Sequence, residues 1–377
     1  MKTKLFKAIK KFMIISLIIV GIIVTITILF MQQDIFGQIP NGTSAEILKK
    51  SSHYKDGQFQ NLSPTPALTE GHTYWEVMTD FFLKDRPRRI PADTLPSMKT
   101  DLIHLNLDEN VLVWFGHSSY FMQIDGKRIL VDPVFSGNAS PLPGSVKSFT
   151  GTDRYAVTDL PEIDYLFISH DHYDHFDYKT LIALENKIKK VVCGLGVGSH
   201  LESWGYDAAK IIEKDWYETQ ELTDGFTVSV TPTRHFSGRG FVRNKTLWAS
   251  YVLQTPTLKV YIGGDSGYDT HFQEIGNKFG PFDLVILENG QYDEAWHYIH
   301  MMPSEVLKAA QDLKAKRIFP VHSSKFALAN HSWDEPLIQI TELNKAYNLP
   351  LVTPIIGEVV NLKNPNQVFK PWWVGLN

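Results

Sequence analysis

Cysteine is almost missing from this chain. Cys193 is the only one, which excludes an intrachain disulfide and any metal site built from several thiolates. Neither sign of charge is in excess: 37 Lys and Arg stand against 41 Asp and Glu, for a formal net charge of −4. That balance carries no electrostatic footprint of a nucleic-acid partner. Repeats of fixed period and low-complexity tracts are absent, as is any linker-like stretch within 100–365. The G-x-S-x-G turn that presents a serine nucleophile is missing too, so a hydrolase of this sequence needs another nucleophile. The remainder is ordinary, 43% hydrophobic and 21% charged residues in 377, enough for one large α/β domain with appendages.

Charge is also absent from one long stretch. Five lysines in "MKTKLFKAIKK" (1–11) precede the uncharged run Phe12–Met31, and twenty helical residues at about 1.5 Å each span roughly 30 Å, a bilayer's hydrocarbon core. Only Ser16, Thr25 and Thr27 interrupt its apolar character, so no polar face marks it as a core helix. The following "QQDIFGQIP" offers no small-x-small cleavage site, which favours an uncleaved signal anchor over a removed signal peptide. The lysines place 1–11 in the cytoplasm and the rest of the chain outside, as a single-pass membrane protein. Residues 32–70, with frequent Gly, Pro, Asn and Ser, read as a tether, and 71–377 as the catalytic domain. Within 72–91 an amphipathic helix ending at Pro87 is expected. Its aromatics are expected to pack on the domain, the alternative being contact with the membrane surface.

From residue 111 onward the pattern is α/β. "VLVWFGHSSYFMQIDGKRILVDPVF" gives short apolar runs split by an Asp-Gly turn, hence two or three antiparallel strands. "DYLFISH" is a buried strand, "YKTLIALENKIKK" (178–190) a helix, and "KVVCGL" the next strand. Further strands end in polar residues at His235, Asp265, "ENG" and His322. "PSEVLKAAQDLKAK" reads as a helix with Ser304 as its N-cap after Pro303.

The densest chemistry lies in "FISHDHYDHFDY" (167–178). His170 closes a buried strand, and His172, two positions on in extended chain, points to the same side, so both can hold one cation. Asp174 and His175 can reach a second beside it. Imidazole with carboxylate suits zinc or another first-row divalent metal. Strand ends elsewhere offer the rest: His235 completes a three-histidine set, Asp265 follows two glycines and can bridge both ions, and His322 joins Asp174 and His175. Asp265 and Asp174 would thus carry the catalytic function. In extended chain Asp171 points away from the pair, toward solvent or a supporting hydrogen bond, the alternative being a catalytic proton carrier. His117 and Asp132 either orient the imidazoles or are structural polar residues at strand ends. His300 and His331 are candidates for the substrate entrance, and "KPWWVGLN" either covers the pocket or packs on the sheet.

Taken together, "SHDHYDH", His235, "GGDSGY" and "PVH" resemble the metallo-β-lactamase superfamily. That resemblance implies a four-layered αββα sandwich with a dinuclear metal site at one edge. "FGHSSYFMQIDGKRILVDPVFS", "LPEIDYLFISHDHYDHFDYKTLIAL", "GGDSGYDTHFQEIGNKFGPFDLVILENGQY" and "FALANHSWDEP" resemble more narrowly the branch of the N-acyl-phosphatidylethanolamine-hydrolysing phospholipase D, related to the ascorbate-phosphate lactonase-like proteins. The resemblance covers about residues 55–360; the membrane span is a departure from the animal phospholipases. It implies a metal-dependent hydrolase with two divalent ions, acting on a phosphodiester of a phospholipid at the membrane. It also implies a possible homodimer, as in an animal relative. A lactone, a cyclic phosphate or another soluble ester is the alternative substrate. An envelope binding protein that keeps the fold without turnover is the alternative of another class, opposed by the complete set of metal-capable residues.

Overall fold

The structure is a computed structural model that describes residues 2–377, apart from the side chains of Lys2, Phe81 and Phe82. Helix α1 (Lys2–Met31) leads, followed by a 3-10 turn at Asp34–Phe36, α2 (Gly42–Leu48), a hairpin of β1 (Tyr54–Lys55) and β2 (Gln58–Phe59), and α3 (Tyr74–Leu83). The first half of the domain runs β3 (Val111–Trp114), β4 (Tyr120–Ile124), β5 (Lys127–Val131), β6 (Ile163–Ile168), α4 (Tyr178–Leu184), β7 (Ile188–Gly194), α5 (Gly198–Ser203) and β8 (Ile211–Lys214). The second half runs β9 (Thr219–Glu221), β10 (Thr227–Thr231), β11 (Ser250–Gln254), β12 (Lys259–Ile262), α6 (His271–Phe279), β13 (Leu284–Glu288), α7 (Pro303–Asp312), β14 (Ile318–Val321) and α8 (Glu335–Tyr347). Strand β15 (Val359–Asn361) returns to the first sheet.

Two mixed sheets result, ordered β15-β3-β4-β5-β6-β7-β8 and β14-β13-β12-β11-β10-β9. Each is antiparallel at one side and parallel where helices make the crossovers, since parallel neighbours need a connection that crosses the sheet. Both faces of each sheet are covered, so central strands such as β3, β4, β13 and β14 are near-continuously apolar. In β3, Leu112 and Trp114 join a core shared with Val228, Leu253 and Ile286 of the other sheet. Val113 turns the opposite way, into a cluster with Leu181 of α4 and Leu201 of α5. In β13, Val285 and Leu287 likewise pack on Phe272, Val306 and Ile340 of α6, α7 and α8. The layers are therefore helix, sheet, sheet, helix. A one-residue slip in β3 would exchange the two faces, and each large side chain fully buried there contributes roughly 1.5–3 kcal/mol.

Several expectations are corrected. Residues 32–70 are folded against the domain instead of tethering it: Leu48 and Phe59 are buried in the inter-sheet core, and the Phe59 amide donates to the Asn244 carbonyl at 2.8 Å. The Gly content there serves a tight hairpin, in which Asp56 and Gly57 both take positive φ (53° and 75°), the geometry that two-residue hairpins favour. The helix expected over 178–190 stops at Leu184, and Ile188 already begins β7, because the parallel pairing of β7 with β6 outweighs local helix propensity. In α7, Pro303 is the first helical residue and Ser304 lies inside; Met302 is the N-cap, and its amide is taken by the Glu305 carboxylate at 2.9 Å.

Helix α3 begins at a capping box, with Thr73 Oγ1 accepting from Glu76 N at 3.2 Å and the Glu76 carboxylate from Thr73 N at 2.9 Å. It ends at Leu83, before Pro87. Tyr74 and Trp75 are 65% and 74% exposed, Tyr74 at the rim of the cleft described below, so neither is buried against the domain as expected. Phe81 and Phe82 lie outside the described side chains. The C-terminal tail packs on the domain: Trp373 is buried with Leu95, Phe149 and Trp333.

Candidate metal centre

Six strands deliver polar residues to one edge of the sandwich. Asp132 follows β5, His170 follows β6, His235 lies beyond β10, Asp265 beyond β12, Glu288 ends β13 and His322 follows β14. The double glycine before Asp265 is required by close packing. A Cβ on Gly263 would lie 2.4 Å from the Ile286 carbonyl oxygen, and one on Gly264 2.5 Å from that of Ala249, distances no side chain tolerates.

The metal-capable atoms form two adjoining groups. In the first, His172 Nδ1 lies 2.9 Å from His170 Nε2 and 3.2 Å from His235 Nε2. In the second, Asp174 Oδ2 lies 3.4 Å from His175 Nε2 and 3.3 Å from His322 Nε2. Asp265 Oδ2 reaches both: 3.2 Å to His175 and 3.1 Å to His322, 3.8 Å to His170 and 3.9 Å to His235. Tetrahedral bonds of about 2.0–2.2 Å to zinc would set neighbouring donor atoms about 3.3 Å apart, so the spacing fits cations. The chemistry fits as well, because imidazole nitrogens converge with carboxylate oxygens, and fully buried His175 Nε2 faces the Asp265 and Asp174 carboxylates with no well-formed hydrogen bond among the described residues. A cation would satisfy it. His235 Nδ1 stands 3.0 Å from the Ile299 carbonyl; donation there leaves Nε2 with its lone pair toward the cluster.

Electrostatics follow from crowding in a dry place. Burial pushes His172 down to about 4, which keeps it neutral and able to bind metal. For His322, burial opposes the charged form, but the Asp265 carboxylate and the Asp174 and Glu288 hydrogen bonds outweigh it and push its pKa up to about 10. Asp265 is penalised by burial yet held well below the usual carboxylate range by His175 and His322. Without a metal, protons on two histidines neutralise the buried carboxylates.

The supporting shell is equally ordered. Asp132 Oδ2 lies 2.9 Å from His175 Nδ1 and accepts from Ser169 Oγ at 2.6 Å, while Oδ1 accepts from Ser169 N at 2.8 Å; it orients His175. His117 Nε2 meets Asp174 Oδ2 at 2.8 Å. His117 and His322 are also joined through their backbones, the His322 amide donating to the His117 carbonyl at 3.0 Å. His117, Asp132 and His322 all have positive φ (54°, 40° and 66°), a strained backbone of the kind that clusters at functional sites. Asp171 is buried, not solvated: it accepts from Gly238 N at 2.7 Å and Thr246 Oγ1 at 2.9 Å, and lies 3.3 Å from His200 Nε2.

A cleft of about 530 Å³ opens over the cluster, with His172, Asp174, Asp265 and His322 on its floor. Phe236, Trp296, Ile299 and Leu328 make its walls apolar, Arg243 adds a cation, and His300 lines it as expected. His331 does not line it. Its Nε2 accepts from the Gln291 amide at 2.8 Å and its Nδ1 meets the Ser332 carbonyl at 2.9 Å, so both nitrogens are spent on holding the chain. Neither Trp372 nor Trp373 covers the cleft.

Sequence reasoning missed Glu288 and Asn61. Glu288, 1% exposed, accepts from Met301 N at 2.8 Å and meets His300 Nδ1 at 2.6 Å and His322 Nδ1 at 3.4 Å. An acidic residue closing "LVILE" was a visible sign of it. Asn61 brackets His235, Nδ2 donating to its carbonyl at 2.7 Å and Oδ1 accepting from its amide at 3.1 Å; nothing near it in sequence announces this.

Residues 127–323, which carry most of this edge, match the family described as "Beta-lactamase superfamily domain". The chain belongs to the metallo-β-lactamase superfamily. An uncharacterised protein of Mycobacterium tuberculosis is 35% identical over 87% of this chain and 88% of its own length. N-acyl-phosphatidylethanolamine-hydrolyzing phospholipase D 1 of Caenorhabditis elegans is 29% identical over 80% of this chain and 90% of its own. The solved structure of Igni18, a metallo hydrolase from Ignicoccus hospitalis, superposes with a TM-score of 0.52 at 20% identity, covering 67% of this chain and 97% of that one. The expected superfamily and its αββα layering are thus both found. Like other members, the chain has a metal-dependent hydrolase fold with a His/Asp cluster at its edge.

Proposed function

We propose that this is a membrane-anchored hydrolase that uses two divalent ions to cleave a phosphodiester in phospholipids of the N-acyl-phosphatidylethanolamine type. The observation that carries the reading is the position of Asp265, whose one carboxylate oxygen lies 3.1–3.9 Å from imidazole nitrogens of both groups. His170, His172 and His235 would hold one ion, Asp174, His175 and His322 the other, and Asp265 would hold the two together. When bound, zinc-like ions supply hydroxide near neutral pH and neutralise charge on a phosphoryl oxygen. Asp132 fixes the ring of His175, and His117 fixes the Asp174 carboxylate. Glu288 engages His300 through Nδ1, leaving Nε2 as the nitrogen that can meet substrate in the cleft. The apolar walls and Arg243 suit a ligand with acyl chains and an anionic phosphate. The Caenorhabditis relative's name and the apolar helix α1 support a lipid in a membrane; by its lysines α1 runs from the cytoplasm outward, so the cleft faces the outer leaflet.

The test is release of phosphatidic acid from N-acyl-phosphatidylethanolamine vesicles by zinc-loaded wild type and by Asp265→Asn. Release by the wild type alone is expected. Two bound ions without release from either protein would discard the lipid and turn the search to lactones, cyclic phosphates and other soluble esters. Unchanged release by the variant would remove the bridging role.

A further inference from the structure

The foot of α1 is tied to the metal loop by a buried cation. Arg239 is 4% exposed and makes no ion pair among the described residues. Its guanidinium donates in two directions instead. Nη1 reaches the carbonyls of Asp171 at 2.7 Å and Phe176 at 2.8 Å, the two residues that bracket His172–His175. Nε and Nη2 both reach the Ile35 carbonyl, at 3.0 and 2.7 Å, four residues beyond the end of α1. The guanidinium also lies 4.1 Å from the Tyr173 ring centroid. Burying a guanidinium without a counter-ion is costly, and carbonyl groups and an aromatic face are what offset it here.

Further contacts join the exit segment to α5, which packs beside the metal loop. The Trp204 indole donates to the Asp34 carbonyl at 2.8 Å. Gly37, at φ 65°, passes so close to His200 that a Cβ would fall 2.2 Å from its Nδ1, and His200 Nε2 is 3.3 Å from Asp171 Oδ2. The loop carrying Arg239 stands between the cleft and the anchor. On one side Phe236 and Arg243 line the cleft; on the other Gly238–Val242 line a smaller cavity with Met31 and Phe36. A Cβ on Gly240 would come within 2.7 Å of Met31 Cε. At the loop's tip Phe241 and Val242 are 81% and 50% exposed, beside helix α1, whose uncharged run Phe12–Met31 has no buried residue.

We infer that Arg239 is a positioning residue that locks the membrane exit onto the metal loop, so that the Phe241–Val242 tip rests in the bilayer interface and the cleft takes lipid from that surface. The inference rests on the reading of α1 as a membrane span. Tip and span are continuous through Met31 and Gly240, which is why the occupant of the exposed tip is the bilayer and not another protein.

The test uses the full chain in phosphatidylcholine vesicles containing N-acyl-phosphatidylethanolamine. Cys193 is buried, so a fluorophore on Phe241→Cys reports from position 241 alone. Quenching by lipids that carry a quencher near the headgroup is expected, together with its weakening in Arg239→Lys, which lacks the fork needed to reach both segments. Arg239→Lys should also lose several-fold in vesicle turnover relative to a soluble short-chain phosphodiester, with its metal content kept. An unquenched label in the otherwise wild-type protein, or equal quenching with and without Arg239, would overturn the inference. Should Arg239→Lys fail to fold, Phe241→Ser decides: the same selective loss on vesicles supports the inference, and an unchanged ratio overturns it. Absence of turnover on both substrates would count against the hydrolase reading, and the quenching still decides this one.

Discussion

Asp132 and Asp171 show how much depends on carboxylates that would never touch an ion. Asp132 fixes the ring of His175 from behind, at 2.9 Å. Asp132→Asn should leave the fold intact and weaken metal binding about 10–100-fold, the usual cost of losing an orienting partner; a competition titration with a chelating dye measures it. Protonation gives a second prediction at this scale. In the metal-free site His322 is pushed up to about 10 and His175 is raised as well, burial opposing the charge and Asp265 and Asp174 favouring it. Both carry protons at pH 7, and a metal must displace them. Affinity should therefore rise as pH is raised above neutrality. Binding heats measured in buffers of different ionisation enthalpy should show proton release at pH 7; heats independent of buffer would contradict the assignment.

Strands and their ends set the next scale. Gly264 leaves β12 against the Ala249 carbonyl, and Gly264→Ala should destabilise the domain by about 1–3 kcal/mol through overpacking, seen as a lower unfolding midpoint with metal binding impaired in proportion. Such elements were legible in the sequence because their information is local. Short continuous apolar runs marked the strands, the Asp-Gly pair marked the β4–β5 turn, and His170 through His175 lie within six consecutive positions. Where tertiary pairing decides, reading failed. Ile188 joined β7 and not the preceding helix, and segment 32–70, broken by Pro and Gly, folded onto the core. Asn61 meets His235 across 174 positions, and Arg239 meets Ile35 across 204; no local pattern encodes either. The exposed Tyr74 and Trp75 were misjudged because an amphipathic pattern tells which face is apolar but not what covers it.

For the whole molecule, the segment that leaves the apolar helix α1 and the α/β domain meet in one folded unit. Removing residues 1–31 should leave a domain that folds and keeps its metals. Removing 1–40 deletes the Ile35 carbonyl and the Phe36 ring, and should lower the melting temperature by several degrees. Equal melting temperatures for the two truncations would show that the exit turn adds nothing to the fold. The paired cluster is what the proposed chemistry depends on, and metal content of the purified chain tests it most directly. Two divalent ions per wild-type chain, falling to one or none in Asp265→Ala with the fold retained, is the predicted result. One ion in both proteins, or two in both, would contradict a site in which a single carboxylate holds two ions together.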